Sequence, residues 1–515
     1  MKNKFFSSLI AFASILSFLF ISQQASASHM TGADISYEYV PGSGNLQFIV
    51  RVAFYRDCDG AAAPGSVSVN FRSTSCGENF NRTLSLVSSM EIVPYCTGVL
   101  PTECGGGTGE SRQQYLYQAT VTLPSMCSDW VLSYTSCCRN GSITTITSPS
   151  SRSLYVQATL NNTIFPCNSS PFFSNPPAPF LYVNQPYCYN NAAVDLDGDS
   201  LVYSLITPRT TSYTTTVTYT GSYTATQPLT SVPAMTLNSA TGDICMTPTN
   251  SSEVTVLALL VQEYRYGFLI GATMRDIQVN VITGTDALPT SNGINGTGAY
   301  SDTIAEGCAY TFTVTTADTD AAQNLTLTSN AATAIPTSTF NSSGTSRPTG
   351  TFNWTPAAGT ARNTPYVFVT RLRDDDCPVN GEEYKAYSLT VIEFTAVFAS
   401  SAPACVNQPV NFYSQNDYTG YNYSWSFGNG SIATYAMSID RNPTGVVYTT
   451  PGAKTVVLTI TSPTGCSTNE TMVITINPSP TASFTSTAPV CSDYSVDFTN
   501  TGSTGVGTTY FWDFG

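Results

Sequence analysis

Tyr448-Thr449-Thr450-Pro451-Gly452-Ala453-Lys454-Thr455-Val456-Val457-Leu458-Thr459-Ile460-Thr461 sets a turn signal in front of a run in which apolar and hydroxyl side chains alternate. A period of two sends successive side chains to opposite faces of a sheet, so the run is predicted to be a strand. The same texture extends in both directions from it. Ser and Thr are abundant, Gly and Pro recur at short intervals, and no helical stripe is sustained beyond the first residues. The predicted fold class is all-β: a row of antiparallel sandwiches of about 100 residues each, with cores of inward-facing Val, Ile, Phe, Tyr and Trp.

The two ends of the chain place it outside the cytoplasm. Lys2 and Lys4, the apolar run Phe5 to Ile21 and then Ala25-Ser26-Ala27 have the three parts of a secretory signal peptide, with cleavage expected after Ala27. An N-terminal membrane anchor is the other reading; Ser7, Ser8, Ser14 and Ser17 interrupt the run and speak against it. No later stretch is apolar enough for a transmembrane segment in the mature chain. Fifteen cysteines in an exported chain point to disulfides. Cys405 and Cys466 bracket one repeat, Cys308 and Cys377 another, and eight cysteines fall before residue 180 with their connectivity open. Phe511-Trp512-Asp513-Phe514-Gly515 stops inside a repeat, so the sequence reads as a fragment with the partner of Cys491 beyond it.

Charged residues are 10% of the chain, where ordinary soluble proteins have about 25%, and the net charge is −14. Such a surface repels phosphate, which excludes nucleic acid as a partner. The acidity suits divalent cations or simple solubility.

Repeats define the organisation. With Cys405 and Cys491 taken as one position, Phe398 matches Phe484, Pro403 matches Pro489, Val410 matches Val496 and Phe412 matches Phe498. Trp425-Ser426-Phe427-Gly428 matches Trp512-Asp513-Phe514-Gly515 one residue out of step, and a fixed period of this kind marks a repeated folding unit. These two units resemble PKD repeats, an immunoglobulin-like sandwich family, which implies that the Trp packs in the core and a Gly-rich turn follows its strand; Asn429 stands where that family usually has Asp. Upstream, Asp195-Leu196-Asp197-Gly198-Asp199-Ser200-Leu201-Val202-Tyr203 is followed by Thr241-Gly242-Asp243 and a strand ending near Glu263. Asp318-Thr319-Asp320, Gly350-Thr351-Phe352-Asn353-Trp354 and Asp374-Asp375-Asp376 repeat that order. Both segments resemble cadherin-like repeats, the second in degenerate form. Tyr55-Arg56-Asp57-Cys58, Met126-Cys127-Ser128-Asp129-Trp130 and Ser136-Cys137-Cys138-Arg139 make the N-terminal part similar to the leading domain of large PKD-repeat surface proteins of gliding bacteria. That likeness implies export by the type IX route and a sorting or gliding-associated domain beyond residue 515. The expected domains are a signal peptide 1–27, a disulfide-rich N-terminal β domain 28–180, cadherin-like sandwiches 181–283 and 284–394, a PKD domain 395–478 and an incomplete second one 479–515.

Chemistry is sparse. The only histidine is His29, so neither a Ser-His-Asp nor a Cys-His arrangement nor a His-rich zinc site can be assembled away from the N-terminus. Glu91, Glu103, Glu110 and Glu263 leave paired carboxylates for glycoside hydrolysis open, since sequence does not give their separation. Cys137-Cys138 is read as two structural half-cystines bonded to different partners rather than as a redox pair. Asp195, Asp197 and Asp199 alternate on an extended segment and Gly198 lets it turn, which supplies clustered hard oxygens of the kind calcium takes. The spacing is not that of an EF-hand, because Gly comes fourth and Ile206 stands twelfth. In cadherin-like relatives such aspartates bind calcium near a module junction. The metal ligands expected are therefore Asp195, Asp197, Asp199 and Glu263, with calcium as the cofactor and a solvated acidic turn as the alternative. Asp318 with Asp320, and the Asp374–Asp376 run, read as thinner copies. Trp354, Trp425 and Trp512 are expected in cores rather than as sugar-stacking rings. Tyr213, Val217, Tyr219 and Tyr223 share odd positions on one predicted strand face, as a surface patch or an ordinary buried face.

The function expected is that of an adhesin-like structural or binding protein, secreted and associated with the cell surface, and not an enzyme. Its partner would be an extracellular surface or polysaccharide ligand. The alternatives are an extracellular carbohydrate-binding surface protein and accessory modules of a larger secreted hydrolase.

Overall fold

The computed structural model describes residues 30–515 except 43, 45, 59, 61, 93–103, 105, 108–110, 178–179, 285, 377–378, 429–436 and 506–507. Residues 1–27, expected from the sequence to be a signal peptide, and His29 lie outside the described residues, as do Glu103, Glu110, Cys377 and Asn429. The protein is all-β, built of tandem sandwich modules with several disulfides, as the alternation of its sequence predicts. Among the described residues no helix is long and apolar enough to cross a membrane. Two compact units form. The first runs through Thr303 and includes Thr311–Trp354 and Arg362–Val391; the second comprises Ile304–Tyr310, Thr355–Ala361 and Ile392–Gly515.

The first unit is organised by one large sheet. Met30–Tyr39, Gln47–Asp57, Arg112–Thr122, Glu78–Ile92, Ser66–Ser73, Trp130–Ser136, Leu154–Leu160 and Phe268–Ile282 are neighbours in that order, and the last also pairs with the first. Eight strands thus close a ring, which removes the open edges a sheet otherwise exposes. The period-two pattern fills it: Val67, Val69 and Phe71 point in from a single strand, and Ile35, Val50, Val52, Trp130, Leu132, Val156 and Met274 join them. Val254–Arg265 and Ser200–Ile206 extend the sheet beyond Phe268–Ile282. One sheet therefore draws strands from both the 28–180 and the 181–283 segments.

Strand Phe268–Ile282 is buried along almost its whole length because both faces are covered. Met274 faces the ring interior, while Ile277, Val279 and Val281 face a second core with Leu259, Val261 and Ile244. Opposite that core lie Tyr187–Asn190, Asp243–Met246 and Thr236–Leu237, clasped by a Cys188–Cys245 bridge between directly paired residues. A further sandwich follows, with Ser301–Ala305, Glu382–Ile392, Tyr366–Arg373 and Thr326–Ser329 in one sheet and Tyr310–Val314, Thr349–Trp354 and Thr339–Ser343 in the other. Phe312, Phe352, Phe368 and Tyr387 stack at its centre, with ring centroids 4.8 Å apart for Phe352 and Phe368.

In the second unit the stretch that opened the sequence reading is strand Gly452–Thr461, with Val456, Leu458 and Ile460 fully buried and Thr455, Val457 and Thr459 on the other face. Trp425 is fully buried, its indole N–H donating to the Asp440 carbonyl at 2.9 Å, with Phe398 and Phe412 against its ring. Gly428 is needed where it stands: φ is +78°, and a Cβ there would lie 2.5 Å from the Thr455 carbonyl oxygen.

The disulfides depart from the sequence reading in two places. Cys466 bonds Cys308 and not Cys405, because Ile304–Tyr310 lies in the same compact unit and Cys308 joins its core. Cys137 and Cys138 bond each other rather than different partners; their Cα atoms are 3.0 Å apart, which brings the two sulfurs together. Cys58–Cys104 and Cys76–Cys127 close loops in the ring-shaped part.

Candidate cation site

The five-residue loop at Asp195 connects short strand Ala193–Val194 to strand Ser200–Ile206. Its shape comes from Asp195, whose Oδ1 accepts the backbone N–H groups of Asp197 and Asp199, both at 3.0 Å, so that a side chain takes the place of backbone turn bonds. Gly198, with φ +80°, makes the bend, and the Arg362 guanidinium donates to its carbonyl at 2.8 Å; a Cβ at 198 would strike that guanidinium at 2.3 Å. Oxygens of Asp195, Asp197 and Asp199 lie within 4.8 Å of one another.

Strand Val254–Arg265 supplies the other half. Glu263 is fully buried, and its Oε1 accepts from Asn168 Nδ2 at 2.6 Å and from the Tyr37 hydroxyl at 3.3 Å. Gly271, its partner across the ladder, leaves the room for that carboxyl, since a Cβ there would collide with Oε1. Two residues on, Arg265 points to the same side and binds both oxygens of Asp199, at 2.6 and 2.7 Å. It also approaches Asp197 to 3.4 Å and lies over the Phe165 ring. Sequence reasoning passed over Arg265, although its i+2 relation to Glu263 on a predicted strand was the available signal.

The electrostatics follow from these positions. Burial, and then the neighbouring Asp199 and Asp197 charges, push the Asp195 carboxyl up to about 6. Burial, and then the Asp195 charge, hold Glu263 well above the usual carboxylate range. Asp195 Oδ2 and Glu263 Oε2 are both buried and take no hydrogen bond from any other residue; the two carboxyls pair with each other. A buried carboxylate oxygen without a donor is costly, so these atoms need a proton or a cation. The donor set is all hard oxygen and fits calcium rather than a soft metal. All four sequence-predicted ligands meet here, but Glu263 stands behind Asp195, outside the triad of mutually close oxygens.

The remaining candidates separate. Glu91 lies beside the Cys58–Cys104 bridge, whose sulfurs are spent on each other. Trp354 and Trp425 are core residues and Trp512 is half-buried. The Tyr213–Tyr223 stretch is not a strand: it forms only isolated bridges, at Thr216 and Tyr219, because its hydroxyl side chains bond within the loop. Val217 and Tyr219 turn into a small apolar cluster with Ile143, Ile146 and Val256, whereas Tyr213 stays half exposed under the Arg72 guanidinium.

Residues 393–476 match the family model for the PKD domain. No curated protein matches the chain. Among solved structures, the chain is similar to protocadherin gammaB7 EC3-6, with 14% identity over 65% of this chain and 84% of that one and a TM-score of 0.21. Drosophila N-cadherin EC1-4 gives 12% identity over 76% and 92%, with a TM-score of 0.19. The insect immune protein hemolin gives 8% over 70% and 94%, with a TM-score of 0.22.

Proposed function

We propose that this protein is an adhesin-like structural and binding component of a cell surface, a series of sandwich modules in which calcium stiffens the loop at Asp195 to Asp199. The observation that carries the reading is the buried carboxyl pair of Asp195 and Glu263, whose Oδ2 and Oε2 meet no donor from any other residue, in a loop that Arg362 of the following sandwich holds by its Gly198 carbonyl. A cation there would tie two modules through one loop. Disulfides and PKD and sandwich modules suit an extracellular protein; export by the type IX route is proposed on the sequence resemblance of the N-terminal part alone. The chain is proposed to hold no catalytic centre.

Because strand Phe268–Ile282 serves two cores, the test uses the whole chain. Calorimetry should record calcium binding that Asp197→Ala abolishes, together with slower proteolysis near Arg362 when calcium is present. No heat at millimolar calcium removes the cation from this reading. A carbohydrate-binding role is the second reading, favoured by the half-exposed Tyr213 ring. Glycan-array binding lost in Tyr213→Ala would select it. Service as accessory modules to a hydrolase predicts instead that the chain raises the activity of a linked catalytic domain on polysaccharide.

A further inference from the structure

The outer face of the ring carries a cleft. In strands Met30–Tyr39, Gln47–Asp57 and Arg112–Thr122 one set of alternate residues fills the interior, and the other set, among them Ser36, Ala53 and Gln114, faces out. Ser36 and Ala53 are small and lie on neighbouring strands, so the wall is hollow there. Ser169, Ser170, Phe172 and Phe173 close over the hollow together with Leu196 and enclose about 400 Å³, the size of a small-molecule site.

The cover presents Phe172 and Leu196, whereas the ring wall presents polar groups that are already oriented. The Tyr55 hydroxyl donates to Asp34 at 2.9 Å and accepts from Arg275 at 3.1 Å and from Gln114 Nε2 at 3.2 Å, which fixes the Gln114 amide. Arg51 donates from Nε to Gln118 at 2.9 Å and from Nη1 to Glu38 Oε2 at 2.7 Å. Gln114 Oε1, Glu38 Oε1 and Arg51 Nη2 stay unengaged among the described residues. Two acceptors and a donor thus stand beside an apolar surface, held in place before any ligand arrives.

The chemistry of the ligand follows by exclusion. Each charge has its mate, Arg275 with Asp34 at 2.8 Å and Arg51 with Glu38 at 2.7 Å, so the cleft selects neither an anion nor a cation. A peptide strand finds no edge to join. Gln47–Asp57 is paired on both sides, and Ser170 covers the Tyr37 backbone, whose N–H donates to Ser170 Oγ at 2.9 Å and whose carbonyl accepts the Ser170 N–H at 2.9 Å. A wholly apolar ligand would take the water from the Gln114 and Glu38 oxygens and return no donor. A sugar ring meets every demand: its hydroxyls donate to the amide and carboxylate oxygens and accept from the guanidinium, and its C–H face lies against Phe172.

We infer that this cleft is a binding site for short uncharged saccharides, in which Glu38, Arg51 and Gln114 hold hydroxyls and Phe172 backs a sugar ring. The site rests on the carbohydrate reading, but Tyr213 is not among its residues and it needs no cation. Calorimetry of the whole chain with maltose, cellobiose, lactose and diacetylchitobiose, and with digalacturonate as the charged control, provides the test. At least one of the four uncharged disaccharides should bind, and digalacturonate should bind more weakly. Gln114→Ala and Glu38→Ala, in protein that melts with the parent, should each weaken that binding about tenfold, since each removes a hydrogen bond. Tyr213→Ala should leave it unchanged. Ala53→Leu should abolish it by filling the floor of the cleft; should that variant not fold, Phe172→Ala carries the same readout. Binding that Gln114→Ala and Glu38→Ala leave unchanged, whether or not Tyr213→Ala removes it, overturns the cleft and places a saccharide site elsewhere. Tighter binding of digalacturonate overturns the uncharged ligand. No heat with any disaccharide overturns the cleft and the carbohydrate reading together.

Discussion

The ring of the first unit and the PKD sandwich of the second bury their interiors by different chemistry. Within the ring and its neighbour lie three ion pairs, Arg139–Asp276, Arg275–Asp34 and Arg112–Asp57, with every partner at least nine-tenths buried. The sandwich core is Phe398, Phe412, Trp425, Phe427 and Tyr448 with aliphatic residues, and Lys454 is the buried charged side chain among its described residues. The cause is topological. Strand Phe268–Ile282 is covered on both faces, so its polar residues Thr273, Arg275, Asp276, Gln278 and Asn280 have no route to water and must find partners inside. Strand Gly452–Thr461 has one wet face, to which its threonines go. Two-sided burial therefore demands matched charges, whereas one-sided burial demands only alternation.

The sharpest way to break this contrast is to unpair a charge in the first unit. Arg139 donates to both Asp276 oxygens, at 2.7 and 2.6 Å, and Asp276 is fully buried. Arg139→Ala should destabilise that unit by about 3–5 kcal/mol in chemical denaturation, because it strands a carboxylate in the interior. Arg139→Met with Asp276→Leu should recover most of the loss, since two apolar groups leave no charge unpaired and only the Arg209 carbonyl loses a donor. A double variant as unstable as the single one would mean that shape and not charge sets the requirement.

Next in size comes the cross-link of the sandwich. Cys308–Cys466 spans 158 residues and holds Ile304–Tyr310 to the second unit. Replacing both cysteines by serine should cost about 2–4 kcal/mol, read as a lower melting temperature of that unit. Trp425→Phe should cost less, about 1–3 kcal/mol: it leaves a partial cavity against Phe398 and removes the donor to the Asp440 carbonyl.

These two regions also differ in how far the sequence announced them. The PKD strand, its Trp and its glycine were legible because every signal there is local: a period of two, a W-S-F-G run, a turn before the strand. The loop at Asp195 was legible for the same reason, as alternate aspartates around a glycine. What escaped is long-range. Glu263 and Tyr37 are 226 residues apart and still touch, and Arg139 finds Asp276 across 137 residues. Asp286, Asp374 and Gly381 come together only once the sheet forms, so the Asp374–Asp376 run reads in sequence only as a thinner copy of the loop at Asp195. The ring was hidden too, because the strand that closes it comes more than a hundred residues after its neighbour in the sheet, Leu154–Leu160. The Tyr213 to Tyr223 stretch failed in the opposite sense. Its alternation is genuine, but Thr215 hydroxyl bonds to the backbone N–H groups of Thr211 and Ser212 compete with ladder formation and win.

That failed strand gives the smallest effect and the finest division between regions. Tyr213 is 50% exposed and meets Arg72, whereas Tyr219 belongs to the cluster around Ile146 and Val217. A ring that contributes little to the core should be expendable for folding, so Tyr213→Ala is expected to change stability by less than about 0.5 kcal/mol. Tyr219→Ala should cost more, because it opens a packed cluster. If the two tyrosines instead destabilise equally, the loop packs as a unit and Tyr213 is not a free surface. If Tyr213→Ala is silent in denaturation yet removes binding to a polysaccharide, the exposed ring is retained for recognition.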